Sequence, residues 1–304
     1  MAKKIKSIQA QRAEIGTFEK EQTTPYCIYQ VKEYNESGLV THETEYRPNG
    51  LKEMEVTFEY DPQMRLIAKQ TWYPLEDTLE KMVYSYDSEG RKISEENYFG
   101  DEVFDRLLFK YDDKGNIISQ IRSDDEEDIE IEKQLSEFDD KGRLVKQVNF
   151  TNGQVESNIE FEYNEAGLCI RETHAYPEKK AVETTGHSYN ELGKRTTSET
   201  KDKHGDVIAY LEVEYDEKMN PIKYVSETGG FHNSKSIHQV VYDEQNRAIE
   251  NEYFDVLNNF LMSKEIYVYD DDGNIIEEEI FETNPMAGLK KTHYKLKVEY
   301  DFYG

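Results

Sequence analysis

Hydrophobic and polar positions alternate along much of the chain, in short runs that end at an aromatic residue. Val56, Phe58 and Tyr60 share one parity, and polar residues hold the other. The same order recurs at 159–163 and at 211–215, again with acidic residues between the apolar ones. A period of two over such runs predicts half-buried β-strands with one apolar face and one acidic face.

Each run belongs to a repeat. An aromatic residue followed by Asp or Asn recurs in eleven copies that lie 25 to 31 residues apart, mostly about 26. The aromatic positions are Tyr34, Tyr60, Tyr86, Tyr111, Phe138, Tyr163, Tyr189, Tyr215, Tyr242, Tyr269 and Tyr300. Regularity of this kind indicates a repeat protein in which one small unit recurs.

The residues after each aromatic predict a tight turn. Eight copies place Gly four positions after the aromatic, where a type I turn followed by a left-handed residue requires positive φ. Asp or Asn at the first turn position can accept a hydrogen bond from the backbone two residues on. We therefore assign a structural turn role to Asp112, Gly115, Asp139, Gly142, Asp270 and Gly273. Met64 and Met219 replace the Gly, which predicts altered or strained turns.

Two further columns follow each turn. A mostly β-branched column stands seven positions after the aromatic, for example at Ile93 and Ile118, and is expected to stack in a ladder from hairpin to hairpin. Twelve positions after the aromatic stand Tyr46, Trp72, Tyr98, Phe150, Phe254 and Phe281. The two columns differ in parity, so either a bulge separates them or the aromatic side chains face outward.

Two strands in each repeat predict an antiparallel meander of about 20 strands, because sequential hairpins pair with their neighbours. So wide a twisted sheet is expected to curl. The expected fold is all-β: a β-hairpin solenoid of about 11 copies that forms a coiled or curved open sheet or shell. We expect residues 1–25 to form an N-terminal arm or cap and residues 26–304 to form the repeat domain. Oligomerisation through free sheet edges is a further expectation.

Composition and charge narrow the function. Only 36% of the 304 residues are hydrophobic, and 23 of them are Tyr, which predicts a thin core. The net charge of −27 repels phosphate backbones and anionic lipids, so we expect neither nucleic acid nor a membrane as partner. No secretory signal and no apolar run of 18 residues is present, which favours a cytoplasmic location. Cys27 and Cys169 are the two cysteines, and they do not form the dense pattern of a disulfide-stapled secreted domain. This also favours the reducing cytoplasm.

The turn sequences resemble the YD repeats of bacterial Rhs and toxin-complex proteins. The copies "YDSEGRKI", "YDDKGNII", "FDDKGRLV" and "YDDDGNII" share the pattern Tyr-Asp-x-x-Gly-Arg/Asn-aliphatic, and the resemblance covers about residues 31 to 304. It implies strands that coil into a hollow shell. The repeats here are longer than the common Rhs repeat, and no Asp-Pro-x-Gly-x-x-Gly-Trp junction is present. The resemblance therefore implies neither the self-cleaving core nor the toxin tail of that family.

No motif in the sequence points to catalysis. The loop "YDDDGNIIEEE" has Gly at the wrong position for a calcium-binding EF-hand and Phe281 where the twelfth-position Glu belongs. The seven histidines show no metal-ligand spacing, and Cys169 occupies a position held by aliphatic residues in other copies, which favours a packed thiol. We predict a protein that is not an enzyme and has no cofactor and no metal site.

Two hypotheses for function remain. The first is a bacterial scaffold that binds another protein, a basic one being the best electrostatic match, as an immunity, adaptor or cargo-handling component of a secretion or defence system. The second is a carbohydrate-binding repeat protein with aromatic stacking platforms. The residues predicted to bind the partner are the aromatic column named above and the acidic turn Asp124, Asp125, Glu126, Glu127 and Asp128. The net charge favours the first hypothesis.

Overall fold

The computed structural model describes residues 4–15, 24–124, 129–229, 233–284 and 290–304. All regular secondary structure in these ranges is β-strand. The strands are β1 (Ile5–Glu14), β2 (Cys27–Tyr34), β3 (Val40–Tyr46), β4 (Lys52–Tyr60), β5 (Leu66–Tyr73), β6 (Thr78–Tyr86), β7 (Lys92–Phe99), β8 (Glu102–Tyr111), β9 (Ile117–Asp124), β10 (Ile129–Phe138), β11 (Leu144–Thr151), β12 (Gln154–Tyr163), β13 (Cys169–Tyr176), β14 (Ala181–Tyr189), β15 (Arg195–Lys201), β16 (Val207–Tyr215), β17 (Pro221–Thr228), β18 (Ser234–Tyr242), β19 (Ala248–Asp255), β20 (Phe260–Tyr269), β21 (Ile275–Asn284) and β22 (Lys290–Phe302). Within the described ranges no helix is long and apolar enough to cross a bilayer.

The first and last strands of the sheet pair with each other. β1 pairs antiparallel with β2 on one side and with β22 on the other, so that Gln9 lies opposite both Val31 and Glu299. All 22 strands belong to one sheet. The all-β expectation is confirmed, but the open, coiled solenoid is wrong, because this pairing closes the antiparallel sheet. Neither β1 nor β22 offers the free edge on which the expected oligomerisation depended.

Side chains reinforce the junction of β1 with its neighbours, which we call the seam. Ala13 is only 1% exposed, and the guanidinium of Arg12 lies 4.1 Å from the ring centre of Tyr294. The hydroxyl of Tyr303 donates to the backbone carbonyl of Tyr34, at 2.5 Å. β1 carries no copy of the aromatic-Asp motif, so the repeat pattern gave no sign that this segment would complete the sheet.

Contacts between Cα atoms divide the chain into two units. One comprises Met1–Thr57, Trp72–Asp77 and Leu211–Gly304 and contains the seam. The other comprises Phe58–Thr71 and Thr78–Tyr210 and contains the hairpins from β6 to β15. In both units, consecutive strands pair as antiparallel hairpins.

Little of the apolar surface is fully buried. Six hydrophobic residues of the described ranges are buried: Ala13, Val56, Ala68, Val213, Val240 and Ile280. No large side chain of these ranges is fully buried. The thin core expected from the composition is confirmed. Much of the sheet is therefore accessible to a ligand or a partner.

A bulge recurs after the turns and explains the parity of the two columns. In β8 and β9, Tyr111 pairs with Ile117 and Lys110 pairs with Ser119, so Ile118 is skipped. The same single-residue shift occurs at Ile93 and at Ile170. These bulged side chains are 36–38% exposed, and their stacking from hairpin to hairpin stays a prediction. The bulge, one of the two alternatives left by the sequence, is observed.

The predicted turn forms in ten of the eleven copies, and the prediction is wrong for the copy at Tyr300, where β22 continues through Phe302. In the copy at 111–115, Gly115 has φ of 85° and donates to the carbonyl of Asp112, whose carboxylate accepts the N–H groups of Lys114 and Asn116. Asp139 with Gly142 and Asp270 with Gly273 form the same turn, so the structural role is confirmed. Met64 and Met219 adopt φ of 64° and 65° in unaltered turns. They are strained, as a side chain in this region must be.

The motif also links each hairpin to the next. The Nε of Arg143 donates to the second oxygen of the Asp139 carboxylate, at 2.7 Å. The same guanidinium lies 4.6 Å from the ring centre of Tyr163, one repeat later, whose hydroxyl donates to the carbonyl of Leu144. Equivalent Asp, Arg and Tyr sets occur at 61/65/86, 87/91/111 and 243/247/269. The Tyr-Asp-x-x-Gly-Arg pattern thus forms a turn and also connects neighbouring hairpins through its Arg and Tyr side chains.

Low pH is expected to weaken the contact between the turn Asp and the Arg. The backbone N–H and then the side chain of Arg143 lower the pKa of Asp139 in the folded protein. A carboxylate with a lowered folded pKa stabilises the protein above its unfolded pKa of about 3.9, and this contribution is lost as the pH falls through the folded value. Asp139→Asn should therefore be less stable than wild type at neutral pH, with a difference that shrinks below pH ~4.

Urea unfolding of both proteins from pH ~7 to pH ~2 measures that difference. Asn supplies the turn oxygen in the natural copy at Asn190, which accepts the N–H groups of Leu192 and Lys194, so the turn itself should survive. A stability difference that stays constant over the whole range would contradict the role of the carboxylate charge.

Candidate functional site

The predicted aromatic column lies on the face opposite the motif aromatics. Phe281 pairs with Lys264 of β20 and so shares its face. Lys264 stands five residues before the motif aromatic Tyr269, and residues an odd number apart on one strand point to opposite faces. All six column residues are half-buried: Tyr46, Trp72, Tyr98, Phe150, Phe254 and Phe281. Their role in binding a partner stays a prediction.

Several of these rings have partners within the sheet. Phe281 stacks on His293 with ring centres 3.9 Å apart. The hydroxyl of Tyr98 donates to Glu96 at 2.7 Å. Phe150 has the ammonium of Lys133 5.9 Å from its ring centre. Such contacts hold the rings in place, so substitution of these residues affects packing as well as any binding surface.

A more exposed aromatic pair lies at the hairpin of β7 and β8. Phe99 and Phe104 are 61% and 53% exposed, although both are large and apolar. Together with Glu102, Val103 and Asp124 they line an open groove of about 460 Å³, which we call the tip groove. Clustered exposed apolar side chains beside charged ones are typical of interaction sites.

The tip groove is acidic. Glu102 and Asp124 contribute carboxylates, and Asp124 ends β9 at the start of the predicted acidic turn. Asp125, Glu126, Glu127 and Asp128 lie outside the described residues, and their binding role stays a prediction. The sequence therefore places four further acids directly after the wall of the groove.

Sequence reasoning missed Phe99 and Phe104. They stand 13 positions after Tyr86 and seven before Tyr111, outside both repeated columns. Phe104 is passed over in the pairing of β7 with β8, where Tyr98 pairs with Val103 and Asn97 pairs with Asp105. A bulge at that point could not be located from the sequence, since only the register reveals it.

A second candidate site consists of three side chains whose positions in the alternating sequence pattern do not suggest that they are close together. The Sγ of Cys169, a carboxylate oxygen of Glu172 and a ring nitrogen of His187 all lie within 4.8 Å of one another. We call these three residues the Cys-Glu-His cluster. Sequence reasoning missed this cluster because Cys169 and Glu172 are three residues apart. In a regular strand an odd separation places two side chains on opposite faces of the sheet. The bulge at Ile170 restores them to one face.

Hydrogen bonds order the Cys-Glu-His cluster. One oxygen of Glu172 lies 3.0 Å from Nε2 of His187, and the other lies 3.3 Å from Nε2 of His174. Burial raises the pKa of Glu172, but the bonds to His187 and His174 outweigh it and lower the pKa overall. Burial, and then the charge of Glu172, raise the pKa of the Cys169 thiol. A thiol in that state is a poor nucleophile at neutral pH.

The acidic loop that superficially resembles a calcium site is engaged in its own turn. The two carboxylate oxygens of Asp270 accept the backbone N–H and the side-chain amide of Asn274, at 2.8 and 2.9 Å. These bonds hold the Asp270 carboxylate in the turn.

Comparison with known proteins gives structural likenesses only. No family model matches the chain, and no curated protein matches it in sequence. Among solved structures, the Tc holotoxin pore of Photorhabdus luminescens is similar over 97% of this chain and 17% of its own, with 10% identity and a TM-score of 0.48. A TcdB2-TccC3 complex is similar over 94% of this chain and 19% of its own, with 15% identity and a TM-score of 0.37.

A porin-like protein from Bacteroides uniformis is also similar, over 98% of this chain and 96% of its own, with 9% identity and a TM-score of 0.36. This chain thus spans less than a fifth of the toxin chains that it resembles. Toxin-complex chains, which the turn sequences also resemble, are among the structurally similar proteins. Membership of a YD-repeat family is not shown.

Proposed function

We propose that this protein is a non-catalytic scaffold that binds a basic protein segment at the tip groove. The observation that carries the proposal is the pairing of two exposed aromatic side chains, Phe99 and Phe104, with the carboxylates of Glu102 and Asp124 in one groove. Aromatic anchors supply contact area, and the surrounding charge selects the partner. An immunity, adaptor or cargo-handling role in a bacterial secretion or defence system fits this mode of binding.

The charge of the whole chain supports the same choice of partner. At −27, it would steer a basic protein towards the surface and repel nucleic acid and anionic lipid. The area exposed by the thin sheet leaves ample surface for a protein partner. The polar groups of the repeated motif are committed to turns and to links between hairpins, which supports a structural use of the motif and not catalysis.

The proposal predicts association that depends on salt and on the tip groove. The partner would be isolated with the immobilised protein from native lysate, identified and purified, and its binding kinetics measured. The association rate should fall steeply from low to physiological salt, because the Debye length shrinks from ~30 Å at 0.01 M to ~8 Å at 0.15 M. Asp124→Lys should slow association, and Phe104→Ser should speed dissociation.

Glu165→Lys is the matched control, because it makes the same charge change at an exposed turn in another repeat. It should change the association rate much less than Asp124→Lys does, and thermal unfolding should show that all three variants are folded. Equal effects of the two charge reversals would remove the tip groove from the proposal. Salt-independent binding of an oligosaccharide, lost in Trp72→Ala at unchanged stability, would favour the carbohydrate-binding alternative instead.

A further inference from the structure

The Cys-Glu-His cluster lies on one face of two neighbouring strands, β13 and β14. Cys169 pairs with Tyr163, and Glu172 pairs with both Phe161 of β12 and Thr185 of β14. His187 stands two residues after Thr185, so it shares the face of Glu172. The three donor side chains are therefore brought together by backbone pairing, which fixes their positions before any ligand arrives.

The donor set is one that zinc prefers. A thiolate sulfur, a carboxylate oxygen and an imidazole nitrogen bind Zn²⁺ at about 2.3, 2.0–2.2 and 2.0–2.1 Å. Tetrahedral bond angles then separate the ligand atoms by about 3.3–3.6 Å. In the cluster the carboxylate oxygen and the imidazole nitrogen are 3.0 Å apart, and all three donor atoms fall within 4.8 Å. Small side-chain rotations suffice to place them around one ion.

His187 is oriented as a metal ligand would be. Its side chain is 3% exposed, and Nδ1 lies 2.9 Å from the hydroxyl of Ser198 on β15. That contact turns Nε2 towards Glu172. Metal-binding histidines are commonly held in this way, by a hydrogen bond at the nitrogen that does not bind the metal. His174 similarly holds the second oxygen of Glu172.

We propose that the Cys-Glu-His cluster binds Zn²⁺ through Sγ of Cys169, a carboxylate oxygen of Glu172 and Nε2 of His187. Three protein ligands leave a fourth position for water. The Zn–S bond replaces the S–H bond, and the thiol proton passes to solvent. The sulfur and nitrogen donors disfavour Ca²⁺ and Mg²⁺, which prefer oxygen ligands. The site is independent of the tip groove and of the function proposed for it.

Cobalt is the probe that tests the site. Titration of the metal-free protein with Co²⁺ should produce a thiolate-to-cobalt charge-transfer absorption that saturates at one equivalent and is removed by Zn²⁺. Cys169→Ser should abolish the absorption, and His187→Gln should weaken binding at least about tenfold. The other free thiol and a second half-buried imidazole offer matched controls, so Cys27→Ser and His238→Gln should bind as wild type does.

A measurement on the wild-type protein avoids any loss of folding in the variants. Alkylation followed by mass spectrometry should show that Zn²⁺ slows modification of Cys169 and leaves that of Cys27 unchanged. The proposal is overturned if Co²⁺ gives no absorption at one equivalent, if the absorption survives in folded Cys169→Ser, or if Zn²⁺ leaves the alkylation rate of Cys169 unchanged.

Discussion

Gln9→Pro is expected to destabilise the protein more than any of the other substitutions proposed. Gln9 lies in the middle of β1, paired with Val31 on one side and Glu299 on the other. Proline cannot donate to the ladder, so one hydrogen bond is lost and a partner carbonyl is left unpaired. We expect a loss of at least about 2–3 kcal/mol, from the missing bond and the unsatisfied group together.

The same substitution should open the seam. Strands β2 and β22 would then present unpaired backbone groups, which are templates for association with another copy. Size-exclusion chromatography should show larger species than the wild type forms at the same concentration, and urea unfolding should show the lower stability.

Ser88→Pro is the matched control, because Pro62 stands at the equivalent position of another copy, directly after the turn Asp. There the fixed φ of proline suits the turn, and the stability should stay the same or rise by up to ~1 kcal/mol. Equal losses in the two proline variants would show that the seam has no special importance.

Gly115→Val should cause the second-largest loss, about 1–2 kcal/mol or more, because a β-branched residue is forced to adopt positive φ. A Cβ at this position meets no other atom within 4 Å, so backbone strain and not crowding is the cause. Met64→Gly should do the opposite and stabilise the protein by up to about 1 kcal/mol, because the strained Met64 is 60% exposed and contributes little packing.

Urea titration of both variants measures these opposite changes. Met219→Gly, at a second turn with nearly the same φ, repeats the test and should also gain stability. A loss of stability in both methionine variants would mean that their side chains contribute more by packing than they cost in strain.

The turn and the hairpin could be predicted from the sequence because their causes are local. Asp112 and Gly115 are joined by a backbone hydrogen bond, and the Asp112 carboxylate accepts a further bond from the turn, all within five residues. The same turn recurs in many copies of the repeat. The parity of the columns could be predicted only as two alternatives. The bulge at Ile118 depends on how β9 aligns with β8, and that alignment is not a property of either strand alone.

Closure and the Cys-Glu-His cluster depend on contacts that the repeat pattern does not encode. The seam joins Gln9 to Glu299, and β1 has no motif to mark it as part of the sheet. His187 and Cys169 come together across two strands, and the odd separation of Cys169 and Glu172 conceals their common face. In each case the missing information is a register between strands, which depends on the whole sheet.

The antiparallel seam also restricts how this chain can change length. Neighbouring strands run in opposite directions, so the first and last can pair antiparallel only when the number of strands is even, as it is with the 22 strands of the described ranges. Loss or gain of one strand would bring two parallel strands together at the seam, with a different hydrogen-bond pattern. Duplication or deletion of a whole repeat adds or removes two strands and keeps the ends compatible. Length variants that still fold should therefore differ by multiples of about 26 residues.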